Sequence, residues 1–338
     1  MPWSRFDSNY RAPAGERDLA FVDAIREATD QAMCLDPRVF AMGLDADDKF
    51  GVFGSMRDMT HPERILGTPI SENANTGVAL GAALTGMRPI LINLRNDFLL
   101  VAMDQIVNYV AKWQSMFDGQ CAVPLVMRSV IGRGWGCGAQ HSQSLQGLFA
   151  QIPGLKVVMP ATPYDAKGLL LSAIKDDSPV MMFEHRWLYK NTGPVPEEMY
   201  TIPLGQGQRL HEGSSLTVVA TSLAAIHTLT ACEQRGLDVD LIDPRTIKPL
   251  DMDLILDSVS KTGRLLVVDY DFPFGGVAAE ITSRVCEQAF DRLREPPQRI
   301  GFPEANMPAS GPLERAYYPT PDTIGERIER WIGVEVCA

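Results

Sequence analysis

Glu72 closes the run Thr68-Pro69-Ile70-Ser71-Glu72 and opens a predicted helix, 73–86, crowded with small residues: Ala74, Gly77, Ala79, Gly81, Ala82 and Ala83. Thr68-Pro69 forms a turn, and Ser71 is a good N-cap. A carboxylate at a helix start complements the macrodipole, and on spacing alone that is a sufficient account of Glu72. A helix so poor in large side chains also lets another backbone or a flat ligand come close. His141 closes the stretch Arg133-Gly134-Trp135-Gly136-Cys137-Gly138-Ala139-Gln140, in which glycines alternate. The alternation matches no phosphate-binding loop and reads as a flexible, closely packed segment. An imidazole is a side chain suited to proton transfer, or this one is a packed histidine. Phe98, beside Leu99 and Leu100, is either a buried aromatic or a ring that stacks on a ligand. Arg95 either pairs with a neighbouring carboxylate or offers its fork of donors to an anionic group.

These side chains need a scaffold, and the hydrophobic pattern supplies one. Helical periodicity over 18–33 leads to an apolar strand at 39–43, and further strands read at 90–94, 122–129, 155–159 and 179–184. A long amphipathic helix is predicted over 97–116 and another over 164–174. Buried strands alternating with helices predict an α/β fold, a mostly parallel sheet with helices on both faces. The Pro/Gly/polar stretch 191–207 reads as a linker. Beyond it the alternation resumes: strands at 215–220, 239–242 and 264–269, helices at 224–236, 251–261 and 277–293. The predicted organisation is an arm over 1–17, a first domain over 18–190, the linker, a second α/β domain over 208–332 and a tail over 333–338.

Composition narrows the function classes. The chain has 338 residues, 45% hydrophobic and 22% charged, enough for two domains with filled cores. A net charge of −11 without a Lys/Arg-rich stripe argues against nucleic-acid binding. No apolar run reaches the about 18 residues a membrane helix needs, and Met1-Pro2-Trp3-Ser4-Arg5 does not read as a signal peptide. The six cysteines, at 34, 121, 137, 232, 286 and 337, have neither CxxC nor metal spacing. They read as reduced thiols of a cytoplasmic protein.

Several further motifs recur in order: Gly51-Val52-Phe53-Gly54, Gly86-Met87-Arg88-Pro89-Ile90, Asp104-Gln105-Ile106-Val107-Asn108 and His141-Ser142-Gln143-Ser144. Pro153-Gly154-Leu155-Lys156-Val157-Val158, Thr162-Pro163-Tyr164-Asp165-Ala166-Lys167-Gly168 and Asp243-Pro244-Arg245-Thr246-Ile247-Lys248-Pro249-Leu250 follow. Together with Thr68–Glu72, these resemble the beta subunits of the thiamine-diphosphate-dependent decarboxylating components of 2-oxo acid dehydrogenases, within the transketolase-like superfamily. The resemblance covers roughly 18–332. It implies a pyrimidine-binding domain followed by a transketolase C-terminal domain, and an enzyme of the oxidoreductase class. It also implies that Glu72 hydrogen-bonds the far ring nitrogen of the cofactor's aminopyrimidine and favours its reactive tautomer. A carboxyl buried in apolar surroundings stays neutral enough to donate in that way. By the same resemblance Ile70 borders the cofactor, Phe98 stacks on its aminopyrimidine, and His141 helps bind substrate-derived intermediates and assists acyl transfer to lipoyl groups. Gln140 and Arg95 are candidates for contact with the substrate.

The family's Gly-Asp-Gly and Asn-Asn sequences, which hold the diphosphate through Mg²⁺, do not occur here. The resemblance therefore implies an alpha subunit carrying that half of the site, an α₂β₂ assembly with a second beta subunit, and docking to a lipoyl acyltransferase core. Segment 173–178 matches one where some relatives bind a monovalent cation through carbonyls, and reads equally as a plain helix end; no metal is assigned to this chain. Departures are specific. Leu44 stands in Gly43-Leu44-Asp45 where relatives have a Glu, Arg95-Asn96 replace apolar or small residues, and Trp135 and Cys137 enlarge a loop of small ones. These leave two alternatives open: a two-subunit transketolase or carboligase without lipoyl transfer, and a non-catalytic scaffold for an alpha chain.

Overall fold

The computed structural model describes Trp3, residues 17–134 and residues 136–333. The expected arm over 1–17 and tail over 333–338 lie almost wholly outside these residues, and Trp135 lies outside them. The chain separates into two compact units, Met1–Gly132 with Phe149–Leu204 and Arg133–Leu148 with Gly205–Ala338.

In chain order the first unit contains β1 (Asp18–Ala20), α1 (Phe21–Leu35), β2 (Val39–Gly43), β3 (Ile65–Gly67), α2 (Glu72–Leu84), β4 (Arg88–Asn93), α3 (Trp113–Met116) and β5 (Val126–Ile131). After α4 (Gln146–Ala150) it continues with β6 (Lys156–Val158), α5 (Pro163–Lys175), β7 (Val180–His185) and β8 (Thr192–Pro194). Its large sheet runs β6-β7-β5-β4-β2-β3, parallel throughout. Every residue of β4, β5 and β7 is buried, as a parallel sheet covered on both faces requires. That explains why Pro89-Ile90-Leu91-Ile92 and Val180-Met181-Met182-Phe183 are continuous apolar runs rather than alternating ones. On one side α1 presents Phe21, Ala24, Ile25, Ala28 and Ala32, a helical stripe, and packs against α5. A capping box starts α5: Thr162 Oγ1 accepts from the Asp165 amide (3.1 Å) and Asp165 Oδ2 accepts from the Thr162 amide (3.3 Å).

Two expectations are corrected here. The predicted helix over 97–116 is broken into a 3₁₀ segment (Asn96–Ala102), a π-helical segment (Asp104–Val110) and the single turn α3. Buried Leu99, Ala102, Ile106 and Val110 recur every three or four residues, a spacing that all three helix types satisfy, so periodicity could not separate them. The predicted linker starts with a strand: β8 pairs antiparallel with β1, Leu19 opposite Gly193.

The second unit holds β9 (Gln208–His211), β10 (Leu216–Ala220), α6 (Ser222–Arg235), β11 (Val239–Asp243), β12 (Thr246–Lys248), α7 (Met252–Thr262), β13 (Leu265–Val268), α8 (Val277–Ala289), β14 (Gln298–Ile300), α9 (Gly311–Tyr317) and α10 (Pro321–Ile332). Its sheet is ordered β14-β13-β10-β11-β9, with only β9 antiparallel. The fold is thus α/β in both units, as expected.

One ionic cluster is sealed inside the first unit. Arg128 on β5 and Glu184 on β7 are both fully buried. Arg128 Nε donates to Glu184 Oε1 (2.5 Å) and Nη2 to Glu184 Oε2 (3.0 Å), while Nη2 also reaches Ser55 Oγ (3.0 Å). The Tyr189 hydroxyl donates to the same Glu184 Oε2 (2.8 Å), and burial drives its pKa well up. Burial works against the Arg128 charge, and the adjacent carboxylate more than offsets it. Glu184→Gln removes that carboxylate and leaves a buried guanidinium without its counterion. The expected loss is about 3–5 kcal/mol of unfolding free energy, measured by denaturant titration of the purified chain; a loss within about 0.5 kcal/mol would show that the pair is replaceable.

Candidate functional site

The carboxyl ends of parallel strands are where an open α/β sheet receives ligands, and in the first unit the sequence-predicted residues gather on the segments that leave those ends. Glu72 follows β3 and is the first residue of α2, half-buried. Ser71 is the N-cap as predicted, but its side chain caps nothing. The turn is held instead by Asn75, whose Nδ2 donates to Thr68 Oγ1 (3.1 Å) and to the Pro69 carbonyl (3.0 Å). Ile70 projects outward with 77% of its surface exposed. The α2 face that continues from it is Ala74, Val78 and Gly81, all exposed, and nothing lies within 4 Å of where a Cβ on Gly81 would sit. At Gly77, beside that face, the helix lies against Gln105 Oε1, 3.4 Å from a built Cβ. The segment Asn96–Ala102, which carries half-buried Phe98, packs on α2. The fold therefore brings Glu72 and Phe98 onto neighbouring elements.

Arg95 precedes that segment at the end of β4. It is buried, and its Nη1 donates to the Gly132 carbonyl at the end of β5 (2.8 Å). At the end of β7, Arg186 lies over the ring of Phe53 (4.0 Å) and near that of Tyr189 (4.9 Å). Burial, and then the neighbouring Arg95 charge working against Tyr189, lower the Arg186 pKa. Two guanidiniums therefore share this edge, a setting that favours an anionic group. The loop after β2 is strained: Asp45, Val52, Phe53 and Asp58 all have positive φ, which a β-branched residue such as Val52 rarely adopts. A hollow of about 370 Å³ lined by Asp47, Asp48, Arg57 and Asp58, among others, opens beside it.

Gln140 and His141 belong to the second unit, in the segment Arg133–Leu148. Gly132, Gly134, Gly136 and Gly138 have φ of 108, 133, 71 and 65°. The alternation in the sequence is thus a backbone requirement, since every second residue must enter the left-handed half of φ. Gly138 leads into a 3₁₀ turn, Ala139–His141, on which Gln140 is exposed and His141 half-buried. Ser142 and Ser144 follow, 3% and 1% exposed, and neither hydroxyl has a hydrogen-bond partner within the described chain. The segment is fixed at both ends. Arg133 lies over the Tyr318 ring (4.7 Å) with Nη1 3.7 Å from Glu314 Oε2. Gln146 Nε2 donates to Asp269 Oδ1 (3.1 Å), and the Gly147 amide to Asp271 Oδ2 (3.2 Å).

Sequence reasoning missed Arg186, Ser142, Ser144, Asp269 and Asp271. The two serines were within reach, because they flank Gln143 in the motif that singled out His141. The others carry no local signal; their significance comes from contacts across long sequence separations.

Residues 17–192 match the family described as transketolase, pyrimidine binding domain, and residues 205–324 the transketolase C-terminal domain. The chain is 42% identical over 326 residues to the beta subunit of acetoin:2,6-dichlorophenolindophenol oxidoreductase of Bacillus subtilis (strain 168), covering 91% of this chain and 95% of that protein. It is 38% identical over 314 residues to the pyruvate dehydrogenase E1 component subunit beta of Rickettsia felis, covering 91% and 96%. It is 36% identical over 314 residues to the 2-oxoisovalerate dehydrogenase subunit beta of Bacillus subtilis (strain 168), covering 90% and 96%. A solved structure described as a split gene transketolase, inactive beta4 tetramer, superposes with a TM-score of 0.75 over 94% of this chain and 100% of its own. At 20% identity, that likeness speaks for the fold alone.

The junction between Arg95 and the carboxyl ends of β5 and β7 is testable through Gly132. A Cβ there would sit 2.9 Å from Cε1 of His185, at a φ of 108°. Gly132→Ala is expected to cost about 1–3 kcal/mol, read as a lowered thermal midpoint; an unchanged midpoint would mean that the edge can relax.

Proposed function

Because this chain belongs to the transketolase-like family and, within it, to the beta subunits of 2-oxo acid and acetoin dehydrogenase components, we propose that it is the half of a thiamine-diphosphate enzyme that receives the cofactor's aminopyrimidine. The observation that carries the proposal is Glu72 at the head of α2, flanked by outward Ile70 and by the segment of Phe98. The residues present suit a flat heteroaromatic ring. A carboxyl at a helix start provides a hydrogen-bonding group, Phe98 an aromatic face, and Ile70 an apolar edge. When bound, thiamine diphosphate supplies a nucleophilic thiazolium carbon able to attack a ketone carbonyl.

In this reading the Glu72 carboxyl holds a hydrogen bond to the ring nitrogen and so governs the cofactor's tautomer. Its apolar enclosure is completed by an alpha subunit that covers the exposed face Ile70, Ala74, Val78 and Gly81. That subunit also holds the diphosphate and Mg²⁺, for which this chain has no Gly-Asp-Gly sequence. His141 moves a proton at the substrate oxygen and Gln140 orients the substrate; on the first unit, Arg95 with Arg186 favours an anionic group. The assembly is an α₂β₂ tetramer, and its home is the cytoplasm.

The substrate is a 2-oxo acid or a related hydroxyketone. The identity of 42% to an acetoin protein, against 38% and 36% to the 2-oxo acid proteins, supports the hydroxyketone. In this reading the cleaved unit passes to a lipoyl group.

The experiment is reconstitution with a thiamine-type alpha chain, followed by assay of acetoin and 2-oxo acids with an artificial electron acceptor. Turnover is expected only with both chains and the cofactor, and Glu72→Ala is expected to lower it by about 10²–10⁴-fold while the subunits remain associated. Full activity of that variant would leave the chain a scaffold. Cofactor binding without electron transfer, but with condensation of aldehydes, would make it a carboligase.

A further inference from the structure

Two carboxylates of the second unit are buried near enough for the charge of one to act on the other. Asp269 follows β13 and Asp271 lies two residues on, 1% and 7% exposed. Asp269 Oδ1 accepts from the Thr221 hydroxyl at the head of α6 and from Gln146 Nε2. Its other oxygen, Oδ2, is buried with no hydrogen-bond partner within the described chain, a state that is costly for an ionised carboxylate. Asp271 accepts from the Phe272 amide at Oδ1 (2.7 Å) and from the Gly147 amide at Oδ2 (3.2 Å). Gly147 allows that approach: a Cβ there would lie 2.7 Å from Asp271 Oδ2 and 3.0 Å from the Cα of Gly276.

We propose that Asp269 and Asp271 are positioning residues for the segment that carries His141: the two carboxyls together retain a proton, and in that state they grip Gln146 and Gly147 and fix residues 136–148 on the second unit. The proposal rests on the reading of His141 as a site residue. Neither aspartate touches a substrate; they act through the segment they hold. Burial, and then the charge of Asp269, push Asp271 up to about 7, and burial raises Asp269.

The surrounding groups do not counter this. From α6 come Thr221 and, through the Tyr270 hydroxyl (2.5 Å), His227, which burial pushes down to about 4 and thus keeps neutral. From α9 comes the Tyr317 phenol, raised to about 12 by burial and by Asp271. Arg133, at the far end of the segment, acts on Tyr270 and His227. No cation is among the groups that shift either aspartate. Because the gripped state binds its proton more tightly than an exposed carboxyl of pKa about 4, the grip is complete below about pH 4. It weakens as pH rises and has lost this contribution above about pH 7.

Hydrogen–deuterium exchange of the full chain tests the proposal without substrate or cofactor, so its failure is distinct from a failure of the functional reading. After correction for the intrinsic pH dependence of exchange, amides of 136–148 are expected to be about tenfold more protected at pH 6 than at pH 8.5. Asp271→Asn, which stays neutral and retains one of the two acceptor oxygens, should flatten the pH dependence to under about twofold; Asp271→Ala, which retains neither, should lose protection at both pH values. Equal protection of the wild-type segment at the two pH values, an Asp271→Asn profile that follows the wild type, or full protection in Asp271→Ala would overturn the proposal.

Discussion

The Arg128–Glu184 pair is the constraint on which the working edge of the first unit depends. In a sheet covered on both faces, a charged side chain has no route to water, so each partner exists only because the other faces it. Val130 is the direct neighbour of Glu184 and Met182 that of Arg128, which makes the pair a diagonal across adjacent strands. A slip of one residue would turn one side chain to the opposite face and strand both charges. The register of β5 against β7 is thereby specified more strongly than by Val, Met and Phe packing, which tolerates exchange. The same guanidinium holds Ser55 and the same carboxylate holds Tyr189. The strained loop after β2 and the turn after β7, which present Phe53 and Arg186, are tied to a single buried point.

The second unit secures its candidate segment in another way. Its sheet is ordinary, and the segment with His141 is attached by groups placed at its two ends: a guanidinium over an aromatic ring at Arg133, and a helix start against carboxyls at Gln146 and Gly147. Between these anchors the glycines supply left-handed backbone and little side-chain packing. The first unit therefore ties the loop after β2 and the turn after β7 to a core ion pair, whereas the second holds the segment of His141 through buried hydrogen bonds at Gln146 and Gly147.

What the sequence revealed follows the same division. Glu72, Ile70, Phe98 and His141 could be nominated as candidates because each sits in a short contiguous pattern. The parallel sheet was legible because short unbroken apolar runs between helices suit strands buried on both faces. The broken helix over 96–116 was not, since amphipathic spacing reports a buried face and is silent about which carbonyl each amide chooses. The pairing of β8 with β1 and the contacts of Gln146 with Asp269 were hidden for a different reason. They join residues far apart in sequence, and no local propensity encodes a partner. Arg95 was visible as an oddity; that it reaches Gly132 and neighbours Arg186 required the fold.

The path of the backbone has a consequence for how such a protein can change. The chain leaves the first unit after Gly132, returns at Phe149 and leaves again after Leu204. Residues 133–148 thus belong to the second unit although they lie between two stretches of the first. A truncation after Leu204 would discard Tyr318, Glu314, Asp269 and Asp271 while keeping the stretch they hold, and so would leave 133–148 without a host. Loss of the C-terminal half would therefore be felt within the N-terminal half of the chain, at 133–148.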